Sequence, residues 1–156
     1  MSKEFLEVGE RGSLICGDGP LVESLRETVE GMGFKCHVAT TPDEAIERMT
    51  YTTYDAIFIN EEVGESTLES NTILQHLTSM GMTQRRNSYT VLVGSSLRTL
   101  DAIQAYGRSV HLVVNPADIG SVEPILKKGL ADFDRLYTTF LGVQREAHEG
   151  TYDRRA

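Results

Sequence analysis

Five short apolar runs alternate along the chain with segments in which apolar residues recur every three or four positions. The runs span residues 13–16, 35–39, 56–59, 90–93 and 111–114. None of them shows the polar alternation of a strand with one solvated face. Continuous apolar strands are typical of a parallel sheet covered on both faces, and the helical segments between them supply the crossovers. The pattern therefore predicts an α/β fold, a three-layer αβα sandwich around a five-stranded parallel sheet.

The helical segments are predicted from their start signals and their periodicity. The first follows Pro20, and the second begins at residues 41–44, Thr-Pro-Asp-Glu. That start combines a capping box, a proline at the first helical position and acidic charge at the positive end of the helix dipole. A third helix is predicted over 71–80. A fourth is predicted over 97–106, with one of the two serines that precede it as the cap.

The fifth helical segment, 118–146, is longer than the others and carries a heptad seam. Its apolar positions step alternately by four and by three. They are Val122, Leu126, Gly129, Phe133, Leu136, Phe140 and Val143. At ~1.5 Å per residue the helix would be about 40 Å long, more than a sheet of this size covers. We expect its C-terminal half to project and to pair with the same helix of a second chain in a homodimer. A helix that bends back, or a seam that binds a different protein, is the alternative.

Length and composition indicate one domain in the cytoplasm. The 156 residues suit a single core. We divide the chain into an N-terminal extension (1–12), a domain with a long last helix (13–146) and a polar tail (147–156). No apolar run approaches the ~20 residues that span a bilayer. The N-terminus also lacks the apolar stretch of a signal peptide. A cytoplasmic location is therefore expected.

The charge balance and the Cys and His positions argue against several kinds of partner. Acidic residues outnumber basic ones by 23 to 15, and the net charge of -8 repels nucleic acid and anionic membranes. We expect neither as a direct partner. Cys16 and Cys36 lie in strand-like runs and are expected to be reduced core residues. The four histidines are scattered without zinc-ligand spacing, so no metal and no cofactor is expected.

Several segments resemble, in order and spacing, the receiver domain of bacterial response regulators. They are Leu-Ile-Cys-Gly-Asp-Gly-Pro at 14–20, Tyr-Asp-Ala-Ile-Phe-Ile-Asn at 54–60, Thr-Val-Leu-Val-Gly-Ser-Ser at 90–96 and Leu-Val-Val-Asn-Pro at 112–116. The resemblance covers about residues 12–132. It implies the flavodoxin-like (βα)5 topology of CheY-like receivers and a role in two-component signal transduction or a phosphorelay.

The resemblance also implies a phosphoacceptor pocket, and most of its chemistry is missing here. A receiver needs a carboxylate nucleophile, an acidic pair that holds a divalent cation, a lysine, and a hydroxyl that receives the phosphoryl group. The matching positions hold Asn60 for the nucleophile, Gly17 and Asp18 for the acidic pair, Asn115 for the lysine, Ser95 for the hydroxyl, and Leu112 for an aromatic that switches on activation. A neutral amide cannot form an acyl phosphate, and it adds no charge to a metal site.

Each polar residue at these positions also has a structural interpretation. Asn60 suits a turn, Ser95 a helix cap, and Asp18 a solvated turn. The Asn115-Pro116 bond stands where receivers commonly have a cis Lys-Pro bond, and we expect a cis bond here as well.

Two functions remain open after these observations. The favoured one is a pseudo-receiver that binds a protein partner through the surfaces around its last two helices, without phosphorylation. The alternative is a small-ligand or nucleotide-binding domain, because open α/β sheets bind ligands at the carboxyl ends of their strands. Residues 17–19, Gly-Asp-Gly, are only a fragment of a dinucleotide fingerprint, since Val22 occupies the third glycine position. No nucleophile elbow or Walker loop is present, so an enzyme is not expected.

Overall fold

The computed structural model describes residues 10–61, 73, 75–76, 88–108 and 110–136. These residues form a five-stranded, all-parallel sheet with the strand order β2-β1-β3-β4-β5. Its strands are β1 (Arg11–Cys16), β2 (Phe34–Ala39), β3 (Ala56–Asn60), β4 (Tyr89–Val93) and β5 (Leu112–Val114). All five predicted strands are confirmed, and their ends differ from the predicted ones by two residues at most. The predicted fold class is correct.

The described helical segments lie between the strands and after the last of them. They are α1 (Pro20–Gly31), α2 (Pro42–Tyr51), α3 (Ala102–Gly107), a 3-10 turn (Pro116–Ser121) and α4 (residues 122–136). The predicted start of α2 is confirmed, because the Thr41 hydroxyl accepts a hydrogen bond from the Glu44 N–H at 3.2 Å. The Glu44 carboxylate accepts in return from the N–H of Thr40 at 3.3 Å, one residue before the cap. Both bonds satisfy donors near the helix start, where the helix itself offers no acceptor.

The fourth predicted helix begins five residues later than the sequence pattern indicated, so that prediction was wrong in its start and its cap. The cap is Asp101, whose carboxylate accepts hydrogen bonds from the N–H groups of Ile103 and Gln104, both at 3.0 Å. A helix that began at residue 97 would be broken at Leu100, where φ is 67°. This left-handed conformation costs a residue with a side chain about 1 to 2 kcal/mol.

The predicted helix over 71–80 falls largely outside the described residues. Ile73, Gln75 and His76 are helical, and Ile73 is fully buried. The last helix was predicted to begin at residue 118. It instead follows the 3-10 turn and becomes α-helical at residue 122.

The heptad seam of the last helix changes from buried to exposed along the described part of α4. Val122 and Leu126 are buried, Phe133 is half-buried, and Leu136 is 71% exposed. Gly129 is half-buried. Phe140 and Val143 lie outside the described residues, so the predicted seam is tested only in its first part.

The chain divides into two compact units, Met1–Glu123 and Pro124–Ala156. The sheet, helices α1 to α3 and the 3-10 turn belong to the first. No helix in the described part of the chain is long and apolar enough to cross a membrane.

A buried polar pair lies within the core of the first unit. The side chain of Tyr54 is 1% exposed, and its hydroxyl lies 2.8 Å from Nδ1 of His37, which is also buried. The two rings meet edge to face. Cys16 is buried and Cys36 half-buried, and both are free thiols. Burial raises the pKa of both thiols and of the Tyr54 phenol.

Candidate functional site

The candidate site lies along one edge of the sheet, just beyond the carboxyl ends of four strands. β1 pairs in parallel with β3, β3 with β4, and β4 with β5, so the residues at the carboxyl ends of these strands and just after them are neighbours. In order along the edge they are Gly17 and Asp18, Asn60, Ser95, and Asn115. This is the edge at which open α/β sheets carry their sites.

At the β1 end of the edge, Gly17 packs directly against Asn60. A Cβ at Gly17 would lie 3.0 Å from the Cβ of Asn60, and the Gly17 φ of 151° disfavours a side chain. The Gly17 N–H donates to the carbonyl of Ala39 at 2.8 Å. Asp18 is exposed. This part of the site therefore offers one neutral amide and one solvated carboxylate.

In the middle of the edge, the hydroxyl of Ser95 donates to a carboxylate that the sequence analysis did not single out. Glu61 follows β3 directly, and only 5% of its surface is exposed. Its Oε1 accepts from the Ser96 N–H at 3.2 Å and from the Ser95 hydroxyl at 3.4 Å, while its Oε2 accepts from the Ser96 hydroxyl. The predicted role of Ser95 or Ser96 as a helix cap is thus replaced by binding of Glu61.

The space for the Glu61 carboxyl group comes from Gly94. A Cβ at Gly94 would collide with the carboxyl carbon and with Cγ of Glu61. The backbone of Glu61 is fixed as well, because its N–H donates to the carbonyl of Val93 at 2.8 Å and continues the β3–β4 ladder. The sequence did contain a signal for this contact. An acidic residue follows β3 directly, and a glycine follows β4 directly.

At the β5 end of the edge, Asn115 holds the loop between β4 and α3. Its amide Nδ2 donates to the carbonyl of Leu97 at 2.8 Å and to that of Ser95 at 3.3 Å. Its Oδ1 accepts from the Ala117 N–H at 2.9 Å and caps the 3-10 turn. Its backbone N–H donates to the Thr99 hydroxyl at 2.8 Å. Asn115 therefore uses both ends of its amide for structure.

The predicted cis bond between Asn115 and Pro116 is wrong, since the described residues contain no cis peptide bond. The Asn115 side chain forms a turn over Ala117, and Pro116 takes the first position of the 3-10 turn. Proline with a trans bond suits a first helical position. Leu112, the predicted switch position, is buried in β5 beside Val91.

The site residues form two contact groups. One group contains Gly17 and Asn60, and the other joins Ser95 to Glu61 and to Asn115. Among the residues that the structure describes, no group of three or more His, Cys, Asp or Glu side chains is arranged to hold a metal ion.

Three large apolar side chains are exposed in the loop after β4 and in α3. Leu100, Ile103 and Tyr106, here called the α3 stripe, are 62%, 84% and 89% exposed. They are spaced by three residues, so the two within α3 share one face of the helix. Large apolar side chains grouped on a surface are typical of interaction sites.

Comparison with known proteins places this architecture among receiver domains. No protein-family model matches the chain, and no curated protein matches it. A CheY-like receiver domain from Methylobacillus flagellatus is 23% identical, with 78% of this chain and 99% of that chain covered and a TM-score of 0.58. A CheY-like receiver domain protein from Methanospirillum hungatei JF-1 is 11% identical, with 81% and 97% covered and a TM-score of 0.62.

A third solved structure contains a trimeric coiled-coil segment of yeast Spc42, amino acids 181-211, as a fusion. It is 19% identical, with 96% of this chain and 93% of that chain covered and a TM-score of 0.61. The likenesses to the two CheY-like receiver domains show that the chain has the receiver fold, as the sequence resemblance predicted.

Proposed function

We propose that this chain is a receiver-fold signalling module that binds protein partners without being phosphorylated and has no enzymatic activity. The observation that carries the proposal is that the polar groups left at the phosphoacceptor position bind one another. The Asn115 amide holds the β4–α3 loop, and the Ser95 hydroxyl donates to Glu61. The neutral amide of Asn60 cannot become an acyl phosphate. These residues support a structure rather than a phosphoryl transfer.

The ligand-binding alternative has less support. A phosphate group of a nucleotide would approach the donors of Ser95 and Ser96, which already bind the Glu61 carboxylate. A second anion at that point would be repelled, strongly so because Glu61 is buried. The arrangement therefore favours the interaction module.

Acetyl phosphate with Mg²⁺ tests the absence of phosphorylation. We expect the intact mass of the protein to stay unchanged, because the site offers neither a nucleophilic carboxylate nor a lysine. The matched variant Asn60→Asp should label weakly at most, since Gly17 and Asn115 remain. A phosphoryl group on residue 60 of the variant in high yield, or on the unmodified chain, would refute the proposal.

We further propose that the partner is a second copy of the chain, paired through the last helix in a two-fold dimer. Support comes from the apolar seam, in which Leu136 is 71% exposed. Burying a large apolar side chain contributes about 1.5 to 3 kcal/mol, so a few such residues from each chain offset the entropy of association.

Sedimentation velocity distinguishes the possible interfaces. Leu136→Glu should give a folded monomer, whereas Lys128→Glu, at an exposed position of the same helix, should leave the dimer intact. If Ile103→Glu, and not Leu136→Glu, dissociates the dimer, the interface is the α3 stripe. An unmodified chain that is monomeric at high micromolar concentration contradicts the homodimer, and a different protein partner then becomes the better interpretation.

A further inference from the structure

Glu61 is a buried carboxylate whose contacts are those of a bound anion. Two hydroxyls and one backbone N–H, from Ser95 and Ser96, donate to its two oxygens. Gly94 leaves the room that the carboxyl group fills. Hydroxyl and backbone N–H donors are also the groups with which proteins commonly bind phosphate.

These contacts connect the end of β3 to the first residues of the β4–α3 loop, residues 94–101. The same loop is held from β5, since the amide of Asn115 donates to the carbonyl of Leu97 at 2.8 Å. The N–H of Leu100 donates to the carbonyl of Val113 at 3.1 Å. The loop is thus fixed near both of its ends, although Leu100 has an unfavourable backbone conformation.

The loop determines where the α3 stripe begins. Leu100, the first residue of the stripe, belongs to the loop. Asp101, the last residue of the loop, caps α3 with two hydrogen bonds. Ile103 and Tyr106 follow within one and two turns of that cap. A loop held in one conformation therefore presents the stripe in one conformation.

We propose that the Glu61 carboxylate is an internal anionic ligand of the Ser95–Ser96 donors, and that it holds the β4–α3 loop and the α3 stripe permanently in place. It takes the position of an external phosphoryl or phosphate group and makes that group unnecessary. Glu61 is thus a positioning residue for the stripe. A role of the stripe in binding a protein partner rests on the proposed function, whereas the anchoring of the loop does not.

Amide hydrogen exchange on the isolated chain, read by NMR, tests the anchoring. In Glu61→Ala the amides of Ser96 and Leu97 should exchange at least about tenfold faster, because hydrogen bonds to a charged acceptor are lost from a loop that opens locally. Glu61→Gln, which keeps the shape of the side chain and one acceptor oxygen, should give an intermediate rate. The matched control Asp18→Asn removes a charge from the same edge and should change neither amide.

Inorganic phosphate at millimolar concentration tests the anion site. It should slow exchange at Ser96 in Glu61→Ala, where the donors are released, and have no effect on the unmodified chain. Unchanged exchange in both Glu61 variants would overturn the proposal, as would protection of the unmodified chain by phosphate. Failure of phosphate to protect Glu61→Ala would overturn the anion-site part.

The two proposals fail separately. Faster amide exchange in Glu61→Ala supports the anchoring of the loop, whether or not the chain is phosphorylated or forms a dimer. Phosphorylation of the unmodified chain refutes the proposed function through a measurement that does not involve the loop.

Discussion

Gly94→Ala is the sharpest structural perturbation of the candidate site. The added methyl group would collide with the carboxyl group of Glu61, so the carboxylate must leave its place or the strand end must shift. The backbone of Gly94 does not require glycine, because its φ lies outside the left-handed range. The effect of the substitution therefore depends on Glu61 rather than on the conformation of residue 94.

The size of the effect follows from the contacts. Overpacking costs about 1 to 3 kcal/mol, and each hydrogen bond lost from a charged acceptor costs about 1.5 to 3 kcal/mol. Replacing glycine at a compatible position returns about 0.4 to 1 kcal/mol by restricting the unfolded chain. The carboxylate either stays under strain or moves away and loses hydrogen bonds, so only one of the first two losses applies in full. After the gain from the unfolded chain, we expect Gly94→Ala to lower the free energy of unfolding by about 1 to 2 kcal/mol.

Urea denaturation of a double-mutant cycle measures this dependence. In the Glu61→Ala background the same change at residue 94 should be neutral or raise the free energy of unfolding by up to about 1 kcal/mol. The coupling energy between the two positions is then about 1 to 3 kcal/mol, within the range of values for residues in contact. Gly31→Ala is the control, because a Cβ there meets nothing within 4 Å, and it should be additive with Glu61→Ala. Additive effects of Gly94→Ala and Glu61→Ala would refute the packing of the carboxylate over Gly94.

Two further predictions concern the core. Tyr54→Phe removes the hydroxyl that lies 2.8 Å from Nδ1 of buried His37, and should lower the free energy of unfolding in urea by about 1 to 2 kcal/mol. Tyr51→Phe, at a position 82% exposed, should change it by less than about 0.5 kcal/mol, and equal effects would contradict the role of the pair. Burial raises the pKa of Cys16 and Cys36, so above pH ~8.5 the unfolded chain loses thiol protons that the folded chain keeps. The free energy of unfolding should therefore fall as pH rises above that value, by up to about 1.4 kcal/mol per pH unit for each thiol. Cys16→Ala should make the fall less steep, and an unchanged slope would show that Cys16 does not contribute.

The sheet was predictable because its information is local. A parallel strand buried on both faces leaves a continuous apolar run, and each of the five runs became a strand. The start of α2 was equally local, since the Thr41 cap and the Glu44 N–H that it accepts from are three residues apart. The shared edge of Gly17, Asn60, Ser95 and Asn115 followed from the parallel topology alone.

The interactions within that edge were not predictable in the same way. A serine before an apolar segment is a good cap in isolation, but Ser95 and Ser96 bind Glu61, which is more than thirty residues away in sequence. The start of α3 therefore moved to Asp101. The sequence analysis did not single out Glu61, because a carboxylate after a strand is ordinarily solvated. Only the pairing of β3 with β4 brings it opposite Gly94.

The amide of Asn115 also has an evolutionary consequence. A lysine at this position would bring a charge suited to a phosphoryl group, but it would remove the two hydrogen bonds that hold the β4–α3 loop and the one that caps the 3-10 turn. An aspartate at position 60 would add a carboxylate next to Glu61, and like charges at close range destabilise each other. On the proposed function, we therefore expect each single substitution toward phosphoryl chemistry to weaken the fold. Phosphoryl transfer would then require several substitutions at once.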